Sequence, residues 1–160
     1  MSYTNVLKQF SSSNFSVKLN KFPNLNFDIQ AVTLPEISSG SAVLSSGLGM
    51  IPVPGDTNTY GSLTIEFIIN ENFDSWIEIF KWFKAKEEFE NFNDLEEEGL
   101  LSDISVILYS NNNEPNYEMV CYDCFPISLS NFTLDTRNQQ DDTIVVPVIF
   151  ELSNFDMLKI

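Results

Sequence analysis

The sequence predicts a mainly β domain, an antiparallel sandwich or barrel with one α-helix on its flank. Three observations carry that expectation. Apolar and polar residues alternate with period two along most of the chain, the helical period appears once, and 160 residues with 43% hydrophobic content have room for a single core. One helix cannot cover both faces of a sheet, so the strands must close on themselves.

The elements follow in order. Residues 1–14 are polar and read as an N-terminal arm, and residues 15–160 as one β domain. Phe15, Val17 and Leu19 alternate with Ser16, Lys18 and Asn20. After the break at Phe22-Pro23-Asn24, Leu25, Phe27 and Ile29 alternate with Asn26, Asp28 and Gln30, so the two segments are expected to pair as a hairpin. Between Leu34-Pro35 and Pro54-Gly55-Asp56 the chain is rich in Ser and Gly, and residues 38–53 are expected to form a long loop. That loop carries Val43, Leu44, Met50, Ile51 and Val53, apolar residues in an exposed context.

Leu63, Ile65, Phe67 and Ile69 mark the next strand, with Ile68 apolar on its other face. The period then changes. Asp74 or Ser75 can cap a helix, Glu78 would complete a capping box with Ser75, and Trp76, Ile79, Phe80 and Phe83 recur at i, i+3, i+4, i+7. This predicts a helix over about 74–87, with Trp82 off the apolar stripe, at its margin or facing a neighbouring subunit. An acidic run, 87–98, ends at Gly99. Strands are then expected over Ile104–Tyr109, Tyr117–Tyr122, Ile127–Leu134 and Thr143–Leu152, the first two joined by a turn through the Asn-rich segment 111–116.

Charge narrows the function. Eight Lys and Arg against 23 Asp and Glu give a net charge of −15, and the chain has no His. Scattered cations on so acidic a chain argue against binding a phosphate backbone or an anionic membrane. Without His the commonest general base, triad partner and transition-metal ligand are missing, so an ordinary hydrolase is not expected. The N-terminus lacks the charged and apolar regions of a signal peptide, and the run Ile144–Phe150 falls far short of the ~18–20 residues that cross a bilayer. A soluble product of the cytoplasm is expected.

No motif is a strong catalytic signal. Cys121-Tyr122-Asp123-Cys124 lies at a strand end and not at a helix N-terminus, and a zinc site would need two further Cys or His ligands that the chain lacks. Reduced thiols in structural positions are expected. The acidic run lacks the spacing of a calcium loop and reads as a solvated segment. Glu66 and Asp123 show no pairing that would make an acid–base dyad. Pro54-Gly55-Asp56 has too few glycines to cradle phosphate, and no Lys follows it. Neither cofactor nor metal is expected.

Taken together, the strand pair near Phe15 to Val32, Leu34-Pro35, the long segment ending in Pro54-Gly55-Asp56, Leu63 to Ile69 followed by Asn70-Glu71, the helix Trp76 to Trp82, Ser102 to Leu108, Phe125 to Leu129 and the C-terminal strand form a pattern. Over residues 14–152 it resembles the tail tube proteins of contractile-tailed bacteriophages. Baseplate tube-initiator proteins and the tubes of contractile injection and type VI secretion systems share that fold. The resemblance implies a structural virion protein without enzymatic activity, made in the host cytoplasm and built into the tail. It implies hexameric rings whose inner strands join into one channel, stacked through the segment 38–53 and the arm 1–14, with tail sheath and baseplate proteins as further partners. DNA would pass through the lumen without specific binding, repelled by lining acids for which Asp28 and Glu66 are candidates. Two alternatives remain open: a baseplate tube-initiator or tail-completion protein of the same fold, and a solitary β-sandwich module that binds carbohydrate or peptide.

Overall fold

A computed structural model describes residues 9–23, 28–88, 99–137 and 142–160. In chain order the elements are β1 (Phe15–Leu19), β2 (Ile29–Thr33), β3 (Ile37–Ser46), β4 (Gly49–Tyr60), β5 (Leu63–Ile68), α1 (Asp74–Glu87), β6 (Ser102–Tyr109), β7 (Pro115–Leu129), β8 (Val145–Glu151) and β9 (Asn154–Lys159). All pairings are antiparallel. The main sheet runs β1-β6-β7-β8-β5-β2, with β9 added to β7, while β3 and β4 form a separate two-stranded sheet.

β7 organises the two layers. Its first part lies between β6 and β9, and its last part pairs with β8. Inward residues from both halves meet in one cluster: Val17, Leu19, Ile104, Val106, Met119 and Cys121 from the first, Leu63, Ile65, Phe67, Val146, Val148 and Phe150 from the second. The alternation legible in these segments is therefore the pleat of two sheet faces closed on a shared core.

Four expectations are corrected. The first two predicted strands are not a hairpin: β1 pairs with β6 through Val17↔Val106, and β2 pairs with β5 through Val32↔Ile65, at opposite ends of the sheet order. Alternation identifies a strand and its buried face but not its partner. Leu25 and Phe27 lie outside the described residues. Next, the strands predicted over 117–122 and 127–134 are one 15-residue strand, bent at Asp123 with φ 53°. Pro126 is tolerated because only β8 pairs with that part of β7, leaving an edge that needs no amide donor. The C-terminal segment is also two strands, β8 and β9.

The third correction concerns α1. Phe73 occupies the N-cap in the left-handed region without a side-chain cap bond, and Asn70 Oδ1 instead accepts from the Asp74 amide at 3.1 Å. Ser75 completes no capping box, because its hydroxyl donates to Asp28 Oδ2. The buried stripe is Ser75, Ile79 and Trp82. Trp82 is 1% exposed, its ring centroid 5.3 Å from Phe22 and 5.7 Å from Phe150, and its indole N–H donates to the Leu100 carbonyl at 2.6 Å. Trp76 and Phe80 instead stack on each other at 5.3 Å on the helix flank. A helix with aromatics around most of its circumference leaves the choice of inward face to the gap the sheets present.

The fourth correction is the long loop. Residues 38–53 belong to the β3–β4 hairpin, whose register runs from Ile37↔Tyr60 to Ser46↔Gly49 around Gly47-Leu48. Its Ser and Gly content hid a strand alternation that, among the described residues, serves no buried face.

Candidate functional site

The β3–β4 hairpin stands clear of the core. β3 is exposed along its whole length, and β4 is exposed except at Val53, Gly55 and Tyr60. Ten residues of strand reach ~33 Å. Cross-strand pairing puts Ala42, Leu44, Ile51 and Val53 on one face, and Val43, Met50, Pro52 and Pro54 on the other. Both faces are therefore apolar. Leu44 is 60% exposed, Met50 81%, and Leu48 at the tip is fully exposed. From Ile37 to Gly55 the sequence carries no charge, in a chain of net charge −15.

A bulge aims this arm. The register passes from Ser39↔Asn58 to Ser41↔Pro54, so Gly55, Asp56 and Thr57 oppose Gly40 alone. A Cβ at Gly55 would stand 2.5 Å from the Gly40 carbonyl oxygen, so only glycine permits the close passage of the two backbones. At the base, Tyr60 meets Phe155 of β9 edge to face at 5.4 Å, which ties the arm to the body.

Of the residues singled out from sequence, Val43, Leu44, Met50, Ile51 and Val53 come together on this hairpin. Leu48 and Pro52 belong with them but had gone unnoticed; an isolated Leu between Gly47 and Gly49 was the available signal. Asp28 sits in the turn just before β2, and Glu66 lies on the neighbouring strand β5. The Asp28 carboxylate accepts from Ser75 Oγ and, at 3.4 Å, from Asn70 Nδ2, while its carbonyl accepts from the Ile68 amide. It ties β2 to the end of β5 and the start of α1. Glu66 stands half-buried on the outward face of β5, between Ala31 and Pro147.

The remaining chemistry-bearing groups do not converge. Asp123 sits on the β7 bulge with its Oδ2 accepting from Ser153 Oγ at 3.1 Å, whereas Glu66 is on β5. Residues 89–98 of the acidic run lie outside the described residues. Among the described residues no three His, Cys, Asp or Glu side chains gather as metal donors, and no helix is long and apolar enough to cross a membrane. A hollow of about 260 Å³ at the β6–β7 turn is lined by Gln9, Phe10, Tyr109, Ser110 and asparagines, and these described lining residues carry no charge.

Cys121 and Cys124 are both fully buried. The Cys124 thiol donates to the Cys121 carbonyl at 3.4 Å. The hydrogen bond between the two thiols pulls the Cys121 pKa below its ordinary value despite burial; that bond and then burial push Cys124 far above it.

No protein-family model matches the sequence. No curated protein matches it either. Solved structures do. A chain of the tube-terminating cap of the anti-feeding prophage superposes with a TM-score of 0.74 at 16% identity, over 100% of both chains. A chain of the sheath–tube complex of an extracellular contractile injection system, PVC, in its extended state gives 0.71 at 17%, again over 100% of both. A chain of the anti-feeding prophage baseplate gives 0.68 at 13%, over 99% of this chain and 97% of the other. The mainly β architecture is thus shared along the whole length, and the chain has the fold of the tube and cap proteins of contractile injection systems.

Proposed function

We propose that this protein is a non-enzymatic structural subunit of the tube of a contractile tail or contractile injection system, and that identical copies form rings stacked through the β3–β4 hairpin. One observation carries the reading: an uncharged arm, apolar on both faces, that none of the described residues covers. A patch of that kind marks an interaction site. The open edges of β1 and β2, at the two ends of the sheet order, support ring closure, since paired neighbours would satisfy their free backbone groups. A hexameric ring in a phage tail, with sheath and baseplate around it, is the specific form we favour. In that form Glu66, on an outward sheet face, is the better candidate for a lumen acid that keeps passing DNA from adhering, because Asp28 is engaged at the helix start.

The likeness to cap and baseplate chains favours a second reading, a subunit that begins or ends the tube and makes only one or two rings. Electron microscopy and sedimentation of the purified full-length chain test both. Extended tubes support the main reading, isolated rings the second. A monodisperse monomer at high concentration defeats both and favours a solitary binding module. Glu66→Gln in assembled particles should slow DNA passage and weaken its salt dependence; unchanged ejection removes Glu66 from the lumen.

A further inference from the structure

We propose that Cys121 and Cys124 are a dithiol–disulfide pair that closes across the β7 bulge under oxidising conditions and pins the point where this strand passes from one sheet to the other. The proposal rests on the thiol geometry and not on the assembly reading above.

In a regular strand, residues three apart point to opposite faces. Here both sulfurs point into the core, because Tyr122 and Asp123 oppose Asp103 alone and the extra residue restores the inward direction at Cys124. Asp123 takes a left-handed conformation, and its amide is held by Asp103 Oδ1 at 3.1 Å, so the bulge is fixed from both strands. Cys121 is registered with Ile104 and Cys124 with Ser102. Two residues of a strand span about 6.6 Å, so the two cysteine Cα atoms are about that far apart. Disulfides bridge Cα atoms roughly 4.4–6.8 Å apart. The Cys124 thiol donates to the Cys121 carbonyl at 3.4 Å, so its sulfur is already turned back toward Cys121 within the core.

The roles within the pair are unequal. Cys121, stabilised as thiolate by its neighbour, attacks one sulfur of a low-molecular-weight disulfide such as oxidised glutathione, and a glutathione thiolate leaves with the proton. Cys124 then attacks Cys121 Sγ of the mixed disulfide, gives up its proton, and displaces the second glutathione thiolate. Two S–H bonds are lost from the protein, one S–S bond forms, and the glutathione disulfide is reduced to two thiols. Both sulfurs are sealed from solvent, so exchange proceeds through local opening of the bulge and is slow in the folded chain.

The test refolds the full-length chain from urea with oxidised glutathione, beside a reduced control. The oxidised chain should lose the mass of two hydrogens, resist alkylation after denaturation, and unfold with an equilibrium constant about twenty-fold lower, the effect of closing so short a loop. Cys124→Ser should retain one glutathione on Cys121, because the resolving thiol is gone. Full alkylation of both cysteines after oxidative refolding overturns the proposal, as does linkage only between chains, or a closed form that unfolds more readily than the reduced one.

Discussion

Replacing Leu44 and Ile51 by Ser tests the hairpin where its contribution can be sized. The two side chains face each other across β3 and β4 and are 60% and 54% exposed, so each presents about 100 Å² of apolar surface to water. At about 25 cal/mol per Å², covering both with a neighbouring copy contributes ~5 kcal/mol per hairpin, and half of that, ~2.5 kcal/mol, for an imperfect fit. The double variant should therefore weaken each contact at least ~70-fold. Serine keeps the arm uncharged and is already frequent along β3, so the hairpin itself is spared. The body should be untouched, because these side chains pack on nothing in the core, and stability should stay within ~0.5 kcal/mol of the parent. Sedimentation velocity reads the association and thermal melting reads the fold. Assembly at the parent concentration would refute the reasoning, because it would mean the arm is not the contact. So would a variant that assembles weakly but also melts early, because the arm would then belong to the core.

Further outcomes follow from single contacts. Gly55→Ala places a methyl against the Gly40 carbonyl and should cost the hairpin about 1–3 kcal/mol, lowering assembly while core melting is unchanged. Trp82→Phe removes the donor to the buried Leu100 carbonyl as well as part of the ring packing, and should lower unfolding free energy by about 2–4 kcal/mol in urea titration, whereas Trp76→Phe, on the helix flank, should cost under about 1.5 kcal/mol. Burial of Lys21 against Trp82 and Phe22 holds its pKa below 10.5, so the unfolded chain binds more protons there than the folded one as pH approaches that value. Stability of the parent relative to Lys21→Met should therefore rise between pH 8 and about 10.5, measured as urea midpoints; a flat difference would show that Lys21 is as well solvated folded as unfolded.

Much of the core was legible because it depends on local periodicity. Val17 and Leu19, Leu63, Ile65 and Phe67, and Ile104 and Val106 alternate in the sequence and face inward in the structure. The single helix over residues 74–87 was equally legible, since a change of period needs no knowledge of partners. Its inward face was not. Trp76 and Trp82 are both large and apolar, and the space beside Phe22 and Phe150 admits the second. The hairpin was misread for a related reason: strand patterning is recognised by one apolar face, and β3–β4 has two, neither buried.

Local composition thus determined how many strands there are to within a few, where the helix lies, which residues avoid water, and that the chain has no His. Tertiary structure alone decided which strand lies beside which, that β7 serves two sheets through a one-residue bulge, that Asp28 bonds to the helix start while Glu66 faces outward, and that two cysteines three apart share one side of a strand. The reason is physical. Side-chain periodicity is a property of a few adjacent dihedral angles, whereas partner, register and bulge depend on contacts between residues as distant in the chain as Val17 and Val106, and no short window of sequence contains both.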